Sequence, residues 1–225
     1  MCQLTSKAEE RGGSRVLLEL MLVTGITVLL FLLAPELVWV CEILCLSYLF
    51  LERKIRHRPI ESLGLKYRGV LTDLKANLPI IALVAVGMQF GVVFGSRYLL
   101  SPLFDRLEGR VSYLQTHFSS FAPSVMFLVF VAMATLVEEL MFRGFIQERV
   151  SWFHSDSSGI ITGSLLMSLF HFSPGELTAV MPDLLFVFLD STLYGLIYKR
   201  SRSVLVSWVA HLSADLIGLF LLWIL

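Results

Sequence analysis

Charged residues are scarce in this sequence. They make up 16% of its 225 residues, whereas about a quarter of the residues in a typical soluble domain are charged. Hydrophobic residues account for 56% of the chain, and the mean hydropathy is +0.77. This composition excludes an ordinary soluble domain. We therefore predict a membrane protein whose helices satisfy their own backbone hydrogen bonds in lipid.

Basic blocks and cysteine motifs are also missing. The formal net charge is zero, and no run of basic residues is long enough to indicate nucleic-acid binding. The three cysteines, Cys2, Cys41 and Cys45, form no CxxC pair, so neither a disulfide framework nor a cysteine-ligated metal follows. Cys41 and Cys45 lie one helical turn apart, and we interpret them as structural thiols facing lipid or a neighbouring helix.

Long apolar runs are abundant instead. A run of about 20 apolar residues is long enough to cross a bilayer as a helix, and the sequence contains seven candidates, the second of them short. Their approximate bounds are 16–34, 37–51, 79–98, 122–148, 157–173, 179–198 and 203–224. We predict an all-α, polytopic bundle of about seven to eight transmembrane helices that forms a single membrane domain over residues 1–225.

The basic residues predict an orientation. If the N-terminus is cytoplasmic, 15 of the 18 lysines and arginines face the cytoplasm, and only Arg97, Arg106 and Arg110 lie outside. Cytoplasmic loops are the ones enriched in these residues. We expect a multi-pass protein of a bacterial inner membrane, or of the endoplasmic reticulum if the host is eukaryotic.

The connections between the apolar runs carry three smaller predictions. The connection 52–77 is expected to be an interfacial helix or a plain topology anchor. The connection 99–120, which is mixed in charge, is expected to cover the outer mouth of the bundle. Pro35 and Glu36 predict a tight hairpin between the first two runs.

Ionisable side chains interrupt the apolar segments at four places. Such groups are expensive in a membrane, so each is a functional candidate. The four places are Glu138-Glu139 with Arg143, His171, Asp190, and His211 with Asp215. Of these, Asp190 is expected to bond locally to Ser191, Thr192 or Tyr194.

The two adjacent glutamates are expected to have different roles. Neighbouring residues on a helix point about 100° apart, so the two carboxylates cannot do the same job. Glu139 lies four residues before Arg143, the spacing and order of a helical ion pair. Glu138 has no obvious local partner. An unpaired carboxylate in a low-dielectric site can take a proton from water, which makes Glu138 a general-base candidate.

The two histidines each allow two interpretations. His211 and Asp215 share one helix face, either as a neutralising hydrogen bond or as a pair that polarises a scissile carbonyl or binds a metal ion. His171 alone would indicate a structural histidine, but one carboxylate and two histidines on three helices favour a common site. Helix rise places Glu138, His171 and His211 within reach of one another, provided that the fourth segment continues past Arg143.

The order of these motifs resembles a known family. Glu138-Glu139-Leu-Met-Phe-Arg143-Gly144, a histidine near the end of the next helix, and His211-Leu-Ser-Ala-Asp215 are similar to the EExxxR, FxxxH and HxxxN/D motifs of the CPBP family. This family comprises CAAX proteases and bacteriocin-processing enzymes and is also called Abi. The resemblance covers about residues 122–220 as a catalytic core and leaves the helices of residues 1–120 without an assigned role. Met167 occupies the aromatic position of FxxxH.

The resemblance implies an intramembrane endopeptidase. Its substrate would be a membrane-associated or lipidated protein or peptide, such as a prenylated CAAX protein, a bacteriocin leader or a membrane-anchored sorting tail. By analogy, Glu138 with His171 would activate a water molecule and His211 with Asp215 would stabilise the oxyanion. Glu139 and Arg143 would hold the helices in place.

The resemblance leaves the cofactor open between none and zinc. The chain has no HExxH signature, yet two histidines and carboxylates are adequate zinc ligands. If a metal is bound, its ligands would be Glu138, His171, His211 and Asp215.

Two functions of other classes remain as alternatives. Buried carboxylates and histidines also form proton relays, which would suit an ion- or proton-coupled carrier, although the segments show no repeated halves. The other alternative is a catalytically inactive scaffold or immunity protein, which would more readily have lost one of the motif residues. Rhomboid and aspartyl intramembrane proteases are disfavoured because the apolar segments contain no GxSG and no GxGD.

Overall fold

The computed structural model describes residues 13–34, 37–117 and 125–225, and all regular structure within these ranges is helical. The all-α bundle predicted from the sequence is confirmed. A short 3₁₀ helix, Ile60–Leu63, follows the second long helix. The eight long helices are α1 Gly13–Leu33, α2 Val38–Ile55, α3 Val70–Leu99, α4 Ser101–His117, α5 Val125–Phe153, α6 Asp156–Phe170, α7 Leu177–Ser201 and α8 Val204–Ile224.

Five of the helices are long and apolar enough to cross a membrane, namely α1, α3, α5, α7 and α8. The helix α2 has 18 residues but carries Arg53 and Lys54 in its last turn, and α6 has only 15 residues. A helix of 15 residues is about 22 Å long, which is shorter than the hydrocarbon core of a bilayer. The larger count of seven to eight membrane helices stays a prediction.

The two long connections contain helical structure. Within 52–77, the end of α2 is followed by the 3₁₀ helix Ile60–Leu63 and then by the start of α3 at Val70, and the choice between an interfacial helix and a topology anchor stays a prediction. Most of the connection 99–120 is the helix α4. The sequence was interpreted only as a connection of mixed charge between membrane segments, and this pattern suits an amphipathic helix. The predicted hairpin at Pro35 and Glu36 lies outside the described residues.

Two helices contain a stretch of π-helix, which is wider than an α-helix and is frequent at functional sites. In α3 it spans Leu83–Met88 and is followed directly by Gln89. In α5 it spans Leu140–Gln147 and begins directly after Glu139. Because α5 then continues to Phe153, the fourth apolar segment does continue past Arg143, as a common site requires.

Glycines let α5 approach its neighbours closely. A Cβ atom on Gly144 would lie 2.7 Å from the Leu63 carbonyl oxygen, and one on Gly159 of α6 would lie 2.6 Å from the Gln147 carbonyl oxygen. Backbone atoms cannot move aside cheaply, so these positions need glycine, as close helix contacts in membranes commonly do. Around them, Phe142 and Phe145 pack in an apolar core with Leu49 and Met167.

Polar contacts join the chain at one end of the bundle. The Val204 amide donates to the Gly64 carbonyl (2.8 Å), and the Arg202 guanidinium contacts Glu148 (3.1 Å) and Asp156 (2.8 Å). The buried Arg149–Glu52 ion pair (3.0 Å) ties α5 to α2. These contacts hold the ends of α2, α5 and α7 close to the starts of α6 and α8. They thereby fix how far along the bundle each side chain of these helices lies.

A second group of contacts holds α4 against α7. Arg106 and Arg110 both bind the buried Asp183 carboxylate, and Arg106 also donates to the Ser173 carbonyl (2.9 Å). Leu107, Arg110 and Val111 of α4 form part of a cavity wall, and the expected cover over the outer mouth of the bundle stays a prediction.

Candidate active site

The acidic pair stands where α5 changes from α-helix to π-helix. Glu139 is completely buried, whereas 21% of the Glu138 side chain is exposed. Because the two side chains point in different directions around the helix, one carboxylate faces the interior of the bundle and the other faces a cavity. The two glutamates are therefore in different environments, as their adjacency predicts.

His211 of α8 lies between the two glutamates. Its Nδ1 atom is 3.0 Å from Glu139 Oε1, and its Nε2 atom is 3.5 Å from Glu138 Oε2 and 3.8 Å from Asp215 Oδ1. Only the first distance is that of a good hydrogen bond. The Nδ1–H group thus donates to Glu139, and Nε2 is near two carboxylates without bonding closely to either. The neutralising His211–Asp215 hydrogen bond considered from the sequence is not formed.

Glu139 is held by three side chains. Ser207 Oγ donates to its Oε2 atom (2.5 Å), His211 donates to Oε1, and the Arg143 guanidinium lies 3.4 Å from Oε2. A buried carboxylate needs such partners, because an unpaired charge in an apolar interior is very costly. The helical Glu139–Arg143 ion pair expected from the spacing is present.

Contacts of Arg143 with α7, and the α7 residue Tyr194, brace this arrangement. Arg143 donates to the Ser191 carbonyl and hydroxyl, each at 3.0 Å, and to Met167 Sδ at 3.0 Å. The Tyr194 ring stacks on the His211 ring, with centroids 4.6 Å apart and planes 20° apart. The imidazole plane and its depth are thus fixed by neighbours on two other helices.

His171 follows the last residue of α6 and acts as its C-cap. The helix starts at an N-cap serine, since the Ser158 amide donates to Ser155 Oγ (3.1 Å). The His171 Nδ1 atom lies 2.9 Å from the Met167 carbonyl oxygen. A carbonyl oxygen can only accept, so Nδ1 carries the proton, and Nε2 of a neutral ring is left as an acceptor.

A cavity of about 760 Å³ brings the polar side chains of four helices together. Glu138 of α5, His171 at the end of α6, Asp190 of α7 and Asp215 of α8 all line it. His211 is buried just behind this wall. Much of the remaining lining is apolar and includes Phe31, Phe130, Phe170, Phe172, Phe186, Leu219 and Leu222. Apolar pockets with a few convergent polar groups are typical of ligand and active sites.

The hydrogen bonds expected between Asp190 and its neighbours in sequence are not formed. Its Oδ2 atom accepts from Gln89 Nε2 of α3 (3.0 Å), while Ser191 binds Arg143 and Thr192 donates to the Phe188 carbonyl. Gly218 makes room for Gln89, because a Cβ atom there would lie 2.9 Å from Gln89 Oε1.

Three buried or cavity-lining polar residues were missed from the sequence. Asp183 is almost fully buried beside Arg106 and Arg110, Glu42 of α2 is buried within electrostatic range of Glu138, and Gln89 lines the cavity. The four places named from the sequence therefore do not include every ionisable side chain within the apolar segments. The signal was available, since Glu42 and Asp183 interrupt the apolar runs 37–51 and 179–198.

A metal site does not emerge from the described residues. They contain no group of three or more His, Cys, Asp or Glu side chains placed to hold a metal ion. Nδ1 of His211 is bonded to Glu139 and Nδ1 of His171 to a carbonyl, so each ring keeps one free nitrogen. Metal-binding histidines commonly have this arrangement, so these hydrogen bonds do not decide between zinc and no metal.

Comparison with known proteins addresses this part of the chain. Residues 120–217 match the family model of type II CAAX prenyl endopeptidase Rce1-like proteins. This part of the chain is similar to the Rce1-like family. The resemblance to the CAAX proteases inferred from the motifs is thereby confirmed. No match was found among curated proteins or among solved structures.

The Rce1-like segment contains every residue of the predicted site. Glu138, Glu139, Arg143, His171, His211 and Asp215 all lie within residues 120–217, whereas α1 to α4 precede the segment. The similarity to a CAAX protease family and the five apolar helices together support an integral membrane protein. The catalytic roles of the six residues are not tested by the family match and stay predictions.

Proposed function

We propose that this protein is an intramembrane endopeptidase that hydrolyses a peptide bond in a membrane-associated or lipidated protein or peptide. One observation carries the proposal: Glu138, His171 and Asp215, from three different elements, line one cavity with His211 directly behind them. The Rce1-like family and the apolar walls of the cavity support the choice of a lipidated or membrane-embedded substrate.

In the proposed first step, Glu138 and His171 hold the attacking water. Glu138 is partly exposed to the cavity, and Nε2 of His171 is an acceptor because Nδ1 donates to the Met167 carbonyl. The water donates one hydrogen bond to each residue, and Glu138 takes its proton as the oxygen attacks the peptide carbonyl carbon. Proton removal by a positioned side chain is worth about 10²- to 10⁴-fold in rate.

His211 stabilises the oxyanion that forms on the carbonyl oxygen. Its Nε2 atom lies 3.5 Å from Glu138 and 3.8 Å from Asp215, so no close acceptor occupies it. An Nε2–H group can then donate to the oxyanion, and the nearby Asp215 carboxylate stabilises the positive charge that the ring carries. When the carbon–nitrogen bond breaks, Glu138 returns its proton to the leaving amine, which balances the reaction.

Glu139 and Arg143 act through other residues in this scheme. Glu139 orients His211 through the Nδ1–H hydrogen bond (3.0 Å). Arg143 holds Glu139 and the α7 backbone. Both are therefore positioning residues, in keeping with their complete or near-complete burial.

Replacing His171 tests the water-binding role. We expect His171→Ala to reduce turnover of a membrane-anchored peptide by about 10²-fold or more, because the water then has one acceptor instead of two. Turnover is measured in detergent by the rate at which the C-terminal fragment appears in mass spectra.

His154→Ala provides a matched control for this variant. His154 is likewise the C-cap of a helical segment, but it is exposed and does not line the cavity. We expect wild-type turnover for this control. Equal turnover by the His171 and His154 variants would refute the assignment of His171.

A further inference from the structure

The cavity is acidic except at one place. Four of the residues that line it are carboxylates, Glu138, Asp183, Asp190 and Asp215. Among the described residues of its wall, Arg110 is the single lysine or arginine. An anionic group of a ligand is therefore repelled along most of the wall and attracted at α4, which carries Arg110.

Arg110 belongs to a cluster with one cation in excess. Its two terminal nitrogens bind the Asp183 carboxylate at 3.0 and 2.5 Å, and the Arg106 Nε atom binds the same carboxylate at 2.8 Å. Two guanidinium groups thus share one carboxylate, which leaves a net charge of +1. This charge is close to the cavity, because 38% of the Arg110 side chain is exposed.

We propose that Arg110 binds the free C-terminal carboxylate of the peptide substrate. This inference rests on the proposed function, which brings a peptide into the cavity, where a chain that ends inside it presents one carboxylate. A carboxylate that enters an apolar cavity loses its hydration, which is costly unless a cation and hydrogen-bond donors replace the water. A guanidinium group supplies both in a geometry that matches a carboxylate.

The position of Arg110 also gives the substrate a direction. The C-terminal carboxylate lies at α4, and the scissile bond lies at Glu138 and His171 on the wall formed by α5 and α6. Reversed binding would place the carboxylate against Glu138 and Asp215, where like charges repel. Arg110 thus determines specificity and orientation and takes no part in the bond cleavage itself.

The neighbouring Arg106 distinguishes binding from a merely structural role. Both arginines clamp α4 to Asp183, but only 12% of the Arg106 side chain is exposed and it does not line the cavity. Arg106 instead completes its contacts with Ser173, at 2.6 Å to the hydroxyl. If the cluster only holds α4 in place, Arg106→Gln and Arg110→Gln should have the same effect on every substrate.

The experiment compares two membrane-anchored peptides of identical sequence, one ending in a free carboxylate and the other in a carboxamide. We expect the wild type to cleave the acid with a kcat/KM about 10- to 100-fold higher than the amide, the size typical of one charge-assisted contact. Arg110→Gln should lose this preference by losing activity on the acid alone, and Arg110→Lys should restore part of it. Arg106→Gln removes the excess charge of the cluster but keeps the guanidinium that contacts the carboxylate, so it should weaken the preference less than Arg110→Gln does.

Two results would overturn the inference. One is an Arg110→Gln variant that still prefers the acid, and the other is equal losses on both peptides from the Arg110 and Arg106 variants. Binding of the same two peptides to Glu138→Gln, measured by fluorescence anisotropy, separates this inference from the proposed function. If the wild type cleaves neither peptide, the protease assignment fails. The binding measurement then still tests the carboxylate site. Tighter binding of the acid that depends on Arg110 supports this site, and equal binding of both peptides refutes it.

Discussion

Glu138→Gln is expected to reduce peptide cleavage by about 10²- to 10⁴-fold while the protein stays folded. The amide has the shape of the carboxylate, but it cannot take a proton from water. Glu138 makes only a 3.5 Å contact with His211 and faces a cavity, so the substitution leaves little buried polarity unsatisfied. Folding is checked by gel filtration and thermal unfolding in detergent, and cleavage by initial rates on a membrane-anchored peptide.

Two further glutamate variants sharpen this prediction. Glu176→Gln changes an exposed glutamate at the start of α7 and should retain full activity. Glu139→Gln should instead lower the thermal stability, because Glu139 is fully buried and partners Arg143, Ser207 and His211. Undiminished turnover by a folded Glu138→Gln protein would remove Glu138 from the role of base.

Arg143→Met is expected to lower the free energy of unfolding by about 3–5 kcal/mol, the cost of breaking a buried ion pair on one side. Only 1% of the Arg143 side chain is exposed. Its removal leaves the Glu139 carboxylate buried without its cation and takes away the hydrogen bonds from Arg143 to Ser191. Equilibrium unfolding in mixed detergent and sodium dodecyl sulfate micelles measures the effect.

The double variant Glu139→Gln with Arg143→Met tests the cause of that loss. Removing both charges takes away the uncompensated carboxylate, so the double variant should be more stable than Arg143→Met alone. Arg200→Met, which alters an exposed arginine in the last turn of α7, should change stability little. A double variant that is no more stable than the single one would show that the ion pair is not the source of the loss.

The sequence predicted the helices best where they are apolar. Runs such as 122–148 and 203–224 indicated α5 and α8 directly, because lipid exposure demands a nearly unbroken apolar surface. The helix α4 was missed for the opposite reason. Its sequence SPLFDRLEGRVSYLQTH is rich in charge, so a search for membrane segments reads it as a connection, although its arginines hold a buried aspartate on α7.

Local contacts in the site could be predicted, whereas contacts between helices could not. The Glu139–Arg143 pair follows from a spacing of four residues within one helix. The partner of His211 did not follow from spacing: Asp215 is four residues away on the same helix, yet the close hydrogen bond is made with Glu139. Which face of α8 meets α5 depends on how the helices are rotated and packed, and that information is spread over the whole bundle.

Isotope incorporation into the cleavage product tests the central claim most directly. The purified protein in lipid vesicles is incubated with a membrane-anchored peptide in ¹⁸O-enriched water, and the fragments are weighed by mass spectrometry. If Glu138 activates a water molecule, the wild type yields an N-terminal fragment with one ¹⁸O atom in its new carboxyl group, and Glu138→Gln yields almost none of this fragment. An intact substrate after incubation with the folded wild type, or a fragment without ¹⁸O, would contradict the account.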